Sequence, residues 1–208
     1  VSMVKYQDMT NNDERYASFW KWFQDTEKSL FSFEDTADML LPQILLELQK
    51  IHEELVFEVG PEIDGVREFV ISANGAKTAF SYVIELAQSS PEFERWDIIP
   101  FRQRKDIFDM EIEIGDTVLV PQDIQFSFEK EKERIHLTIY VDGLDIEDEQ
   151  TYHLVFLLLD NIIGEYDVEM KIGDIDVLDA EDMDEDESVF PLTRLPHVVD
   201  SLTPYAVH

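Results

Sequence analysis

At Leu55 the spacing of the apolar residues changes from helical to alternating, and from there the order strand, strand, helix, strand occurs twice. Leu55–Val59 and Val66–Ile71 flank the loop Gly60–Gly65, the pattern of a hairpin. A helix follows over about Lys77–Gln88, carrying Phe80, Val83, Ile84 and Ala87 and ended by Ser89-Ser90-Pro91. Trp96–Phe101 is the next strand. Downstream, Ile124–Phe128 and Ile135–Val141 are joined by the charged run Glu129–Arg134, Glu147–Ile163 reads as a helix, and Glu165–Ile172 as a strand. Ile71-Ser-Ala-Asn-Gly75 and Ile139-Tyr-Val-Asp-Gly143 match at an offset of 68, and Trp96-Asp97-Ile98 stands opposite Tyr166-Asp167-Val168 at an offset of 70. Phe108–Ile114 and Thr117–Val120 add short strands around Gly115-Asp116. Runs of this kind must bury one sheet face against helices. The expected fold is α+β, an antiparallel-rich sheet built from two ββαβ units.

A helical hairpin over residues 1–52 is expected ahead of an α+β core at 53–178, with an acidic loop and extended strap at 179–208. Asn11 or Asn12 is a suitable N-cap, with Glu14 placed for a capping box. Tyr16, Phe19, Trp20 and Phe23 then fall on one helical face, while Trp22 lies about 120° off that stripe. A second helix, capped by Ser32 and interrupted by Pro42, carries Ala37, Leu41, Ile44, Leu48, Ile51 and Leu55 at heptad spacing. Trp22, Leu41, Ile44 and Leu48 are therefore candidate interface residues, and a homodimer through the N-terminal helices is one expected assembly.

Charge bounds the partners. With 16 Lys+Arg against 47 Asp+Glu the formal net charge is -31. Binding to phosphate backbones or anionic lipid depends on cations, so no nucleic-acid and no membrane partner is expected. The field favours basic proteins, divalent cations or simple solubility. There is no Cys, which excludes disulfides, Cys-ligated zinc and a thiol nucleophile. The N-terminal region lacks an apolar signal segment, and the longest apolar run, Leu154–Leu159, is far short of a membrane span. A cytoplasmic protein is expected.

Few residues suggest chemistry. Carboxylate pairs are inevitable at this acid content, and none is singled out by a motif. Asp174-Ile-Asp176 and the run 179–187, seven acids in nine positions, offer hard oxygen ligands, but the EF-hand pattern fails. The histidines show no ligand spacing. Nucleophile-elbow and phosphate-loop signatures are absent. No cofactor, metal or catalytic residue is assigned. The single basic cluster is Arg102-Gln-Arg104-Lys105, which either neutralises nearby acids or forms a local anion site through its guanidinium forks.

Ile71-Ser-Ala-Asn-Gly75, Trp96-Asp-Ile-Ile-Pro-Phe-Arg-Gln-Arg104 and Leu157-Leu-Leu-Asp-Asn-Ile-Ile-Gly-Glu-Tyr-Asp167 resemble a family of uncharacterised bacterial proteins over roughly residues 50–180. The resemblance implies a bacterial cytoplasmic origin and no particular chemistry. Ser72, Asn74, Arg102, Arg104, Asp160 and Glu165, at strand and helix ends, are candidates for a polar binding site. The leading expectation is a non-enzymatic acidic protein that binds a protein partner, with an immunity or inhibitor protein against a toxin nuclease as one fitting form. The alternatives are a small-anion binder or enzyme with a site near Arg102 and Arg104, and a self-associating structural protein.

Overall fold

The aromatic stripe of the first helix organises the first half of the chain. The structure is a computed structural model that describes residues 2–107, 110–114, 117–143, 149–184 and 188–202. Helix α1 (Ser2–Phe31) buries Tyr16, Phe19, Trp20 and Phe23. Phe23 stands edge-on to Phe69, Phe93 and Trp96 with ring centroids 5.0, 5.3 and 5.2 Å away. Edge-to-face pairs of this kind add about 0.5–1.5 kcal/mol each beyond the area they bury. α1 is continuous from Ser2, so Asn11 and Asn12 lie inside a helix instead of capping one.

Helix α2 (Ala37–Gln49) sets Leu40, Ile44 and Leu48, one per turn, into the same core. Pro42 neither ends α2 nor begins a new helix. It sits near the N-terminus on the exposed side, where the missing N–H costs a single bond. Strands β1 (Val56–Val59) and β2 (Arg67–Ser72), helix α3 (Phe80–Gln88) and strand β3 (Trp96–Pro100) complete this half. β2 is central, antiparallel to β1 and parallel to β3.

The second half repeats the plan. A short hairpin, β4 (Ile112–Ile114) and β5 (Thr117–Leu119), precedes β6 (Gln125–Glu131) and β7 (Arg134–Val141). Then come α4 (Glu149–Ile163), α5 (Glu165–Lys171), β8 (Ile172–Asp179), β9 (Phe190–Pro191) and α6 (Leu195–Asp200). The sheet order is β8-β7-β6-β9, with β7 antiparallel to β6 and parallel to β8. The registers coincide: Ile71 pairs with Phe57 and Ile139 with Phe126, while Phe69 pairs with Ile98 and Leu137 with Ile175. The matched β2 and β7 thus occupy the same place in two ββαβ units.

The fold is α+β and rich in antiparallel pairs, but the two units form separate sheets. The chain divides into two compact units, Val1–Phe101 and Arg102–His208, each with its own hydrophobic core. The N-terminal helices belong to the first core. The division therefore falls at 101/102, not at the expected boundaries 52/53 and 178/179.

Three local expectations change. Residues 165–171 are helical, so Tyr166-Asp167-Val168 is not the counterpart of strand Trp96-Asp97-Ile98. Gly164, with φ +87°, breaks the path of α4 and lets a second helix start, and Val168 faces the core. The charged run 129–134 is mostly strand, paired through Glu131 and Arg134, with Lys132 at φ +56° in the turn. The strap at 188–202 is β9 and α6, anchored by buried Leu192, Leu195, Val199 and Leu202. Within the acidic run, Asp179 accepts a hydrogen bond from the Glu181 N–H at 2.8 Å, and 185–187 lie outside the described residues, as do 203–208. Among the described residues no helix is long and apolar enough to cross a membrane.

Candidate functional site

The candidate polar residues are divided between the units. Ser72 and Asn74 belong to the first, where β2 gives way to α3. Ser72 is fully buried and its Oγ accepts from the Asn74 N–H at 2.9 Å. Asn74 and Gly75 both take positive φ, +49° and +82°, which Asn and Gly tolerate best. These two residues build a turn.

The second unit brings Arg102, Arg104, Asp160 and Glu165 together at the α4–α5 corner. Gly164 makes that corner, since its left-handed backbone strains any other residue. The segment after Phe101 runs along the corner, held by backbone bonds: Glu165 N–H to the Arg102 carbonyl at 3.0 Å and Lys105 N–H to the Asn161 carbonyl at 2.8 Å. The Arg102 N–H returns a bond to Glu165 Oε2 at 3.2 Å. Two chain segments are thereby stapled in both directions.

Arg102 is buried and donates through Nη1 to Asp160 Oδ2 at 3.2 Å, with Glu165 Oε2 4.0 Å from the same nitrogen. Arg104 donates to the Ile163 carbonyl at 2.8 Å, to Asp167 at 2.8 Å and to Asp200 at 2.8 Å. Asp167 is shared with Lys171 at 3.0 Å. Asp167 and Asp200 were not among the expected site residues. Asp167 was visible as the end of the Leu157–Asp167 segment, whereas Asp200 is brought in by α6, which no local pattern reveals. A shallow cavity of about 340 Å³ lies over the corner, lined by Arg102, Gln103, Arg104, Ile163, Gly164, Tyr166 and Asp167. The guanidinium forks beside it already hold carboxylates of their own unit, so capturing an external anion would displace internal partners.

Burial pushes the Asp160 carboxyl up to about 7, with the Glu165 charge acting in the same direction and Arg102 only partly offsetting them. A carboxyl held above its unfolded value contributes stability fully present below pH about 4 and lost as pH rises through about 7. The expected result is a loss of about 2–3 kcal/mol from this group between pH 5 and pH 8. D160N keeps an acceptor for Arg102 but carries no titrating proton. Urea unfolding at the two pH values, followed by circular dichroism, should show the D160N protein losing less stability than the parent over this interval. Equal losses in the two proteins would refute the assignment.

The expected interface residues also have definite places. Ile44 and Leu48 are 1% and 0% exposed and fill the first core. They are closed to a second copy unless α2 detaches, which corrects their assignment to a dimer interface. Leu41 and Trp22 pack against that core and are partly buried, with Trp22 6.0 Å from Phe19 between ring centroids. The heptad spacing arises from packing within the unit. Among the described residues no group of three His, Asp or Glu side chains is placed to hold a metal ion. Comparison with protein-family models, curated proteins and solved structures returns no match for the chain.

Proposed function

We propose that this chain is a non-enzymatic binding protein whose acidic surface engages a basic protein partner. The observation that carries the reading is the internal commitment of four of its arginines. Arg67 pairs with Glu34, Arg95 with Glu27, Arg102 with Asp160, and Arg104 with Asp167 and Asp200. Each is held by a carboxylate of its own unit, while the net charge remains -31. The excess acid is therefore the charge that a partner meets. A field of that sign speeds encounter with a basic surface and repels acidic ones. An inhibitor of a basic enzyme, such as an immunity protein against a nuclease, is the form that uses such a surface most directly.

The test is a pull-down from native lysate with the tagged full chain, washed at about 0.15 M and then about 1 M salt, where charge interactions are screened beyond roughly 3 Å. A stoichiometric basic protein retained in the first wash and released in the second is the expected result. An empty first wash, or a captured protein indifferent to salt, counts against the reading.

A further inference from the structure

We propose that the outer edge of β8 is the docking site for an extended basic segment of the partner, which joins the second sheet as an added strand. The inference rests on the reading above and names the surface through which it operates. β8 ends its sheet and hydrogen-bonds to β7 along one side, with five consecutive pairs from Leu137↔Ile175 to Val141↔Asp179. No strand among the described residues covers its other side. An uncovered edge is a template for main-chain pairing.

The remaining edges are blunted by shape. β1 is four residues long, β3 ends in Pro100, β4 and β5 have three residues each, and β9 is two residues ending in Pro191. β8 has eight residues and no proline. Its irregularity is confined to its start, where the register shifts opposite His136. There Gly173 lies against the imidazole, so closely that a Cβ would come within 2.7 Å of the ring. The Asp174 N–H donates to His136 Nδ1 at 3.0 Å, and Glu131 holds Nε2 at 2.9 Å. This locks the start of the strand and leaves Ile175–Asp179 regular.

What protects that stretch is charge. Asp174 and Asp176 are two residues apart, on one face of the strand, and both are exposed. Asp176 has no ion-pair partner among the described residues. Asp174 Oδ2 lies 3.4 Å from His136 Nδ1, and an edge guarded chiefly by carboxylates is selective, not closed. A second copy of β8 would set acid near acid, and cross-strand like charges repel. An extended segment with cations at alternate positions would place them opposite Asp174 and Asp176 while its main chain pairs along the side that no described strand covers.

The probe is an eight-residue peptide of alternating lysine and valine with blocked ends, titrated into the isotope-labelled full chain at about 0.1 M salt and followed by amide shifts. A glutamate-valine peptide is the control. Saturable shifts concentrated at 173–179 with the lysine peptide, absent with the control and weakened at least tenfold in the D174K/D176K protein, are the expected result. Shifts spread over the acidic surface, no shifts at all, or unchanged binding by the D174K/D176K protein would each overturn the edge assignment. The pull-down keeps the two claims apart. If the parent and the D174K/D176K protein capture the same basic partner equally, the edge is wrong and the partner reading stands. If the parent captures none, the partner reading itself fails.

Discussion

Truncating Arg102 to alanine is expected to destabilise the second unit by about 3–5 kcal/mol, the cost of removing one member of a buried ion pair. Arg102 is 9% exposed, Asp160 8% and Glu165 0%. Without the guanidinium, Asp160 loses the donor at 3.2 Å, and Glu165 loses the positive charge nearest in the 102–105 segment. Arg102→Lys should recover only part of the loss, because a point charge cannot reproduce the fork. R102A combined with D160N should lose less than R102A alone at pH well above 7, where Asp160 would otherwise be ionised without its donor. The measurement is hydrogen exchange of the α4 and α5 amides, including Gly164, whose N–H bonds to the Asp160 carbonyl at 2.9 Å. An R102A protein with parental protection there would show that the corner is held by its backbone bonds alone.

Leu48→Ala should cost the first unit about 2–5 kcal/mol, the range for a large-to-small change at a buried aliphatic site. Leu48 is fully buried among the residues of the first core. Leu46, two positions earlier on the same helix, is 60% exposed, and L46A should lie within about 0.5 kcal/mol of the parent. All three tryptophans, Trp20, Trp22 and Trp96, are in the first unit. Tryptophan fluorescence during urea unfolding therefore reports this unit selectively. The midpoint of the L48A protein should also be independent of protein concentration. A midpoint that rises with concentration, with the monomer unaffected, would restore Leu48 to an interface.

Local pattern made much of this fold legible. The stripe Tyr16, Phe19, Trp20 and Phe23 predicts a helix face because α-helical geometry brings those positions together, and all four are buried. The alternation at Phe69 and Ile71, and again at Leu137, Ile139 and Val141, predicts two strands, and each of these side chains is buried; that both are central is shown by the sheet order. The match at Ile71 and Ile139 reflects equivalent places in two sheets. The same reasoning misplaced Glu165–Lys171, where Tyr166, Val168 and Met170 mimic a strand's alternation. Gly164 and the one-turn spacing of Glu165 and Val168 decide for a helix, because those two are the buried positions of α5. The heptad in α2 was visible, but spacing alone does not say whether its partner is another chain or the same one.

Of the candidate site, the ingredients are legible along the chain: a basic cluster directly after β3, acids at the end of α4, and a glycine between α4 and α5. Charge, apolar period and turn residues are properties of neighbours along the chain, so they can be read without knowing the fold. Tertiary structure decided the pairings. Arg102 meets Asp160 and Arg104 meets Asp200 across long stretches of chain, and with 47 acids available no local rule selects those two. It also decided that α1 and α2 close over the first sheet, and that β8 is left at an edge. Each of these depends on which apolar faces cover one another, a choice made by the burial of the whole core and not by any one segment.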